Sequence, residues 1–333
     1  MRLIVPRIAP STQFASGQRG VALLTILLMV VMATILASSL LARQQRMLKQ
    51  SELLLRQDQA LQYALAGEGF LGDVLVADQK INNKSDSLSE SWAQPMPVYP
   101  VEDGAVTGKL LDQSGKFNLN DLYHDGQPDP VALEYFKRLL DQAGLSAELA
   151  NAVLDWQDPD KETTGNTGAE DSVYQGKRPP YRAANRPFTQ VDELRLVQGF
   201  DDNAFNALSP FVVALPQYSP INVNTAPAQV LAALAPSLTS AAVTAWVKAR
   251  DAKNQPIEAV SELWSQAPFD QVAANDSARI KPMLDVKSQF FEAQIQVMLS
   301  GRQRHLRSSL YRSDAGVVCY QRTLLPVRSG ATS

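Results

Sequence analysis

The chain has 333 residues and a formal net charge of −3, with 45% hydrophobic and 20% charged residues. This balance suits a membrane-tethered protein with one large or two modest soluble domains, and it provides no overall basic field for nucleic acid. The single cysteine, Cys319, excludes an intramolecular disulfide and a thiolate metal cluster. The two histidines, His124 and His305, lie far apart in sequence, so a multi-histidine metal site is not expected.

An uncharged apolar segment follows a short basic leader. Residues 1–20 contain three arginines and no acidic residue, and the 22 residues from Val21 to Ala42 carry no charge. At ~1.5 Å per residue, such a helix spans roughly 33 Å, enough to cross a bilayer core of ~30 Å. Positive charge before the apolar run favours a cytoplasmic N-terminus, so the bulk of the chain is expected across the membrane as a single-pass protein.

Two positions could serve as cleavage sites for this leader. Ala37-Ser-Ser39, at the far end of the apolar run, is a weak candidate for an ordinary signal peptidase. A basic leader ending in Gly20, with the apolar helix beginning at Val21, resembles a class III signal. That resemblance implies cleavage between Gly20 and Val21 by a prepilin peptidase, with the anchor left intact. An uncleaved signal anchor is the alternative.

The fifth residue after Gly20 departs from the pilin pattern. Major pilins and most pseudopilins carry a glutamate there, which is thought to pair with the N-terminal amine of the subunit ahead, whereas this chain has Thr25. An uncompensated charge in a membrane costs several kcal/mol, so such pairing would guide assembly. A subunit with nothing ahead of it needs no such carboxylate. The resemblance therefore implies a subunit at the tip of a filament.

Helical periodicity continues beyond the anchor to about Asp78, although Gly67, Gly69 and Gly72 would each weaken that helix. Residues 82–104 are rich in Asn, Ser, Asp and Pro, which predicts a surface loop, and Ala105–Leu111 could form a first strand. Residues 129–156 predict two helices.

Residues 155–171 form the most distinctive segment, with six carboxylates in 17 residues. Such groups repel one another unless a cation neutralises them, and hard oxygen ligands suit Ca²⁺. The spacing does not match an EF-hand loop. From composition alone, a calcium site and a solvated acidic loop both remain open.

A helical stretch from Pro220 to about Arg250 raises a different class of function. Asn222-Val-Asn224-Thr-Ala followed by helices resembles helix-hairpin-helix modules that bind DNA backbones, and Asn224 or Thr225 could cap the helix. The hairpin at residues 235–239 has no glycine to bring its amides to a phosphate. We therefore expect no nucleic acid as a partner.

Residues 285–325 alternate apolar and polar side chains and predict three strands joined by turns. Strand-like segments thus bracket a helical stretch of about 170 residues. This order matches an α+β, type IV pilin-like fold: a long N-terminal helix on an antiparallel sheet, with a large α-helical domain inserted after the first strand. The expected divisions are a leader (1–20), an apolar helix (21–42), a first pilin-like part (43–112), the insertion (113–284) and C-terminal strands (285–333).

Several motifs together resemble the minor pseudopilin K family of type II secretion systems. They are Asp155-Trp-x-Asp158-x-Asp160, Gly168-Ala-Glu170-Asp171, Pro180-Tyr-Arg-x-Ala-Asn185 and Glu193-Leu-Arg-Leu-Val-Gln-Gly199. The resemblance extends from the leader to the C-terminal strands. It implies Ca²⁺ bound by Asp158, Asp160, Glu170 and Asp171, with Asp155 as a further candidate.

The same resemblance implies a non-enzymatic tip subunit in the inner membrane, with its bulk in the periplasm. Its partners would be minor pseudopilins I and J, a prepilin peptidase and the inner-membrane assembly platform. The sequence lacks a Gly-x-Ser-x-Gly elbow, a phosphate-binding glycine loop and a histidine beside a nucleophile, so catalysis is not expected. A minor pilin of a type IV pilus is the alternative within the same architecture.

Overall fold

A computed structural model describes residues 19–81, 84–253 and 255–329. Contacts divide the chain into two compact units, residues 1–59 and 60–333. Helix α1 begins at Arg19 and ends at Ile81, so each unit contains part of it.

The first unit, in its described part, is an apolar helix without a core. Every side chain from Val21 to Ala42 is exposed. The Thr25 hydroxyl donates to the Ala22 carbonyl at 2.9 Å, which satisfies this polar group within its own helix. Among the described residues, α1 is the one helix long and apolar enough to cross a membrane. The segment is therefore compatible with a single-pass anchor.

In the second unit, one face of helix α1 is buried. Ala64, Leu71 and Leu75 lie on that face at helical spacing and are at most 2% exposed. A Cβ built on Gly67 would lie 3.0 Å from the Cγ2 atom of Ile295. Gly67 therefore lets the helix approach the sheet closely, a role that its low helix propensity did not indicate.

The first two strands are β1, Met96–Val101, and β2, Gly104–Asp112, which pair antiparallel. The prediction of a loop over 82–104 is wrong for β1. This strand lies at the sheet edge, where Pro97 and Pro100 are tolerated although they lack an N–H, and its mostly exposed side chains give no alternating pattern. The helical insertion consequently follows the second strand of the sheet and not the first.

The inserted segment surrounds one large apolar core. Its helices are α2 Pro130–Gln142, α3 Leu149–Gln157, α4 Asp171–Tyr174, α5 Asp202–Leu208, α6 Ala228–Ala232, α7 Ser240–Lys253, α8 Val260–Leu263 and α9 Ala274–Ile280. Its short strands are β3 Phe117–Asn118, β4 Tyr123–His124, β5 Gln127–Pro128, β6 Val212–Val213, β7 Ile221–Asn222 and β8 Leu284–Asp285. The two helices predicted over 129–156 are confirmed as α2 and α3.

The predicted cap of the helix after Pro220 is wrong. Helix α6 begins only at Ala228, and Pro227 precedes it. The Asn224 side chain instead bonds to the backbone of Ile257, as donor to its carbonyl and acceptor from its N–H, both at 2.9 Å. Asn224 thus holds the backbone of a segment 33 residues further along the chain, and it does not cap a helix.

Three strands complete the sheet: β9 Phe290–Leu299, β10 Arg302–Ser313 and β11 Gly316–Ser329. They form the predicted meander with turns at Ser300-Gly301 and Asp314-Ala315. The sheet order is β1-β2-β9-β10-β11, and all neighbours are antiparallel. The pilin-like α+β architecture is therefore confirmed.

Five polar residues, here called the polar seam, connect the insertion to the sheet: Asp86, Asn222, Ser288 and Arg312, which are buried, and Asp112, which is half-buried. The Asn222 amide donates to the Asp86 carbonyl at 2.9 Å and to the Ser288 hydroxyl at 2.7 Å. The Ser288 hydroxyl in turn donates to Asp112 at 2.8 Å. Arg312 donates to the Ser288 carbonyl at 2.8 Å and to the Asp86 carboxylate at 2.5 Å.

Candidate metal centre

The acidic segment lies between helices α3 and α4. Helix α3 ends at Gln157, Asp158 follows directly, and Pro159 prevents the helix from continuing. The chain then turns through glycine and threonine residues and returns to Glu170, immediately before α4. This loop brings residues ten or more positions apart in sequence close together.

Three of the five predicted ligands form a compact group. Carboxylate oxygens of Asp158, Asp160 and Glu170 lie within 4.8 Å of one another. Asp158 and Glu170 are each 3% exposed, whereas Asp160 is exposed. Within the described residues, Asp158 Oδ1 and both oxygens of Glu170 are buried without a hydrogen-bond partner. Buried, unpaired carboxylate oxygens that converge are the donor set that a hard cation requires.

Burial, together with the nearby charges of Asp160 and Asp155, raises the pKa of Asp158 to about 7. Burial, together with the charges of Asp155 and Asp158, likewise raises the pKa of Glu170 to about 7. Without a cation, both groups therefore retain protons close to neutral pH.

Asp155 and Asp171 serve the loop backbone. The fully buried Asp155 accepts hydrogen bonds from the Thr164 amide at 3.0 Å and the Ala169 amide at 2.7 Å. Asp171 accepts from the Ala183 amide at 3.1 Å. Neither belongs to the compact group, so the structure gives these two predicted ligands a role in shaping the loop.

Sequence reasoning did not nominate Asn185. Its side-chain oxygen is buried without a hydrogen-bond partner in the described part of the chain, and its amide nitrogen lies 3.4 Å from the Asp160 carbonyl. Its backbone has φ of 46°, in the left-handed region that asparagine tolerates. The motif Pro180-Tyr-Arg-x-Ala-Asn185 ends on this residue, so the sequence does contain a pattern that points to it.

Gly168 is required for the closure of this loop. A Cβ at this position would lie 2.2 Å from Asp155 Oδ2 and 2.6 Å from the Thr164 nitrogen. We expect Gly168→Ala to destabilise the protein by about 1–3 kcal/mol, because the loop must shift. Thermal denaturation with Gly176→Ala as control tests this, since the nearest atom to a Cβ there is 3.4 Å away. Equal losses of stability in the two variants would contradict the role of Gly168 in closing the loop.

A second acidic group, Asp78, Asp86 and Glu90, lies beside the sheet. Arg312 already pairs with it, at 3.3 Å from Asp78 and 2.5 Å from Asp86. Arg312 thus supplies positive charge to this second group. Asp158 and Glu170 have buried oxygens without a hydrogen-bond partner among the described residues, which distinguishes the first group from the second.

The helix-hairpin-helix resemblance at α6 and α7 does not yield a phosphate site at Arg250. The Arg250 guanidinium donates to the Val223 and Ala226 carbonyls, both at 2.9 Å, and pairs with Asp251 at 2.9 Å. Arg250 is thus used inside the domain.

Comparisons with known proteins agree with this architecture. Two family models described as type II secretion system (T2SS), protein K match residues 115–217 and 221–287. Type II secretion system protein K of Pseudomonas aeruginosa is 41% identical over 66% of this chain and 68% of its own length. The Aeromonas hydrophila protein of that name is 33% identical over 89% of this chain and 93% of its own length.

A solved structure shares the fold. It is the crystal structure of the GspK-GspI-GspJ complex from the enterotoxigenic Escherichia coli type 2 secretion system. The match has a TM-score of 0.72 and 25% identity, and it covers 83% of this chain and 99% of the matched chain. With relatives matched along most of their length and the pilin-like fold in common, this chain belongs to the type II secretion system protein K family.

Proposed function

We propose that this protein is the minor pseudopilin at the tip of a type II secretion pseudopilus. The observation that carries the proposal is the fold match, over 83% of this chain, to one chain of the solved GspK-GspI-GspJ complex. The protein assembles with minor pseudopilins I and J and initiates the pseudopilus needed for secretion across the outer membrane. Its role is structural and not enzymatic.

The N-terminal segment supports an inner-membrane location with the bulk of the chain in the periplasm. Prepilin peptidase removes residues 1–20, and the apolar part of α1 anchors the subunit beside the assembly platform before it joins the filament. Thr25, whose hydroxyl is satisfied within its own helix, leaves no carboxylate to pair with a subunit ahead. This supports a position at the tip.

Calcium is the cation we propose for the acidic loop. Asp158, Asp160 and Glu170 would hold it, since their oxygens converge and those of Asp158 and Glu170 are buried. Asp155, Asp171 and Asn185 would shape the loop or complete the ligand set. The ion would supply positive charge to a set of carboxylates that otherwise repel one another, and so hold the inserted domain in shape.

Co-purification with minor pseudopilins I and J tests the assembly proposal. We expect a tagged copy of this chain to retain both proteins, whereas an unrelated single-pass membrane protein retains neither. Retention of type IV minor pilins instead of I and J would favour the alternative that this chain is a minor pilin of a type IV pilus.

N-terminal sequencing of the mature protein tests the proposed processing. We expect the first residue to be Val21, because prepilin peptidase would cut after Gly20. Gly20→Leu should leave the leader attached, which gel mobility and sequencing both detect. An intact Met1 in the wild-type protein would leave a plain signal anchor.

A further inference from the structure

The outer face of the five-stranded sheet lies opposite helix α1. Ala293 and Ile295 of strand β9 are buried in the core that contains Ala64 and Leu71 of the helix. Side chains alternate along a strand, so residues between them point to the other face. The outer face is therefore formed by even-numbered residues of β9 and by their cross-strand neighbours.

Two cations lie in one cross-strand row of this face. Gln294 pairs in register with Lys109 on β2 and with Arg307 on β10. Neighbouring strands lie ~4.8 Å apart, so the backbones of Lys109 and Arg307, two strand intervals apart, are separated by roughly 10 Å. Both are exposed, and in the described part of the chain neither has a carboxylate within ion-pair distance.

Polar side chains extend this row into a groove of about 350 Å³. The adjacent row consists of Thr107, Gln296 and His305, again in register. On the other side, the carboxylate of Glu292 accepts a hydrogen bond from the Gln294 amide at 2.5 Å. The row of Lys109, Gln294 and Arg307 thus presents positive charge, and Glu292 in the next row presents negative charge beside it.

We propose that this groove, here called the outer-face groove, docks an acidic, extended segment of a partner protein. The Arg307 guanidinium can bind a carboxylate through two parallel hydrogen bonds, and Lys109 provides a point charge for a second carboxylate. The Gln294 amide between them and the Gln296 amide in the adjacent row offer hydrogen-bonding groups for a peptide backbone. Glu292 repels carboxylates beyond the row and so restricts the register of the bound segment.

The number of cations favours a protein over a membrane or a nucleic acid. Basic patches that bind anionic lipid surfaces use roughly four to eight lysines and arginines. Nucleic-acid binding typically neutralises about six to ten phosphates. Two cations fixed in one row instead suit a ligand with a few carboxylates at defined spacing.

The test uses the full-length protein in detergent micelles and a fluorescein-labelled peptide of alternating glutamate and alanine. We expect fluorescence anisotropy to report binding that weakens with added salt. The variant K109A/R307A should bind roughly five-fold or more weakly, because it loses two charged contacts. The matched control is K248A/K253A, which removes two exposed lysines from helix α7. All three proteins should melt at the same temperature.

Four outcomes decide the matter. Loss of binding in K109A/R307A with retention in K248A/K253A supports the proposal. Equal binding by all three proteins, or no binding by the wild type, overturns it. Displacement of the labelled peptide by phosphatidylglycerol added to the micelles, through Lys109 and Arg307, also overturns it, in favour of a lipid ligand.

Discussion

Chelation of calcium by EDTA is expected to lower the melting temperature of the full-length protein by about 5–10 °C relative to a sample with excess Ca²⁺. A ligand at 100 times its Kd stabilises the folded state by about 2.7 kcal/mol, and each kcal/mol shifts the melting temperature by about 2–4 °C for a domain of this size. The buried oxygens of Asp158 and Glu170, without hydrogen-bond partners among the described residues, are the physical reason for the effect. Differential scanning calorimetry in detergent measures it.

The size of this effect should depend on pH. The pKa of Asp158 and that of Glu170 are raised to about 7 in the metal-free fold, above their values in the unfolded chain. The metal-free protein therefore loses stability as pH rises from about 4 to 7, while bound calcium keeps the ionised carboxylates paired. The difference between calcium and EDTA should accordingly be larger at pH 8 than at pH 5.5.

Asp158→Asn is the matched variant for the calcium prediction. It removes one charge from the group and retains the shape of the side chain, so its melting temperature should respond little to calcium. Trp156 precedes the loop by two residues and packs edge-on against Tyr174 at 5.2 Å, so its fluorescence offers a second readout. Identical melting in calcium and EDTA for the wild type would refute the calcium site.

Replacement of Arg312 by leucine is expected to destabilise the protein by about 3–5 kcal/mol at pH 7. Loss of one partner from a buried ion pair leaves uncompensated charge in the interior. Arg312 is 6% exposed and pairs with Asp78 and Asp86, which are 5% and 3% exposed. Its guanidinium also lies 4.8 Å from the centre of the Phe291 ring.

Urea denaturation measures this loss. Burial and the charges of Glu90 and Asp86 together raise the pKa of Asp78 to about 6, even with Arg312 present. Without the arginine, protonation relieves the remaining carboxylates, so the loss should be smaller at pH 5 than at pH 7. Arg279→Leu is the control: its ion pair with Glu134 is about half exposed and should contribute less than about 1 kcal/mol. Equal losses in the two variants would contradict the role of the polar seam.

The sequence predicts helices α1, α2 and α3, the meander and the acidic loop because these depend on local patterns. The dense run of carboxylates leaves a calcium site open, the resemblance to the protein K family names Asp158 and Glu170 as ligands, and the oxygens of these two residues do converge. The role of Asp155 was not apparent, because its hydrogen bonds to the Thr164 and Ala169 amides exist only once the loop is closed. Strand β1 has no strand-like pattern in the sequence, because prolines that are tolerated at a sheet edge are also typical of loops.

Long-range polar contacts are the other part that sequence reasoning could not reach. Arg312 is more than 220 positions from Asp78 and Asp86, and a pairing at that separation has no local pattern. Likewise, Asn224 looks like a helix cap in sequence but bonds to the backbone of Ile257. Short polar side chains bond equally well to neighbouring and to distant backbone, so only the fold decides which they use.

The order of the sheet has a consequence for how such a protein can be built. Its five strands follow one another both in sequence and in space, and strands β2 and β9 are adjacent, with Asp112 opposite Phe291. The whole helical domain therefore occupies the position of a single hairpin loop. A pilin-like protein could acquire or lose it at that one turn without any rearrangement of strands, because the two ends of the insertion already lie side by side.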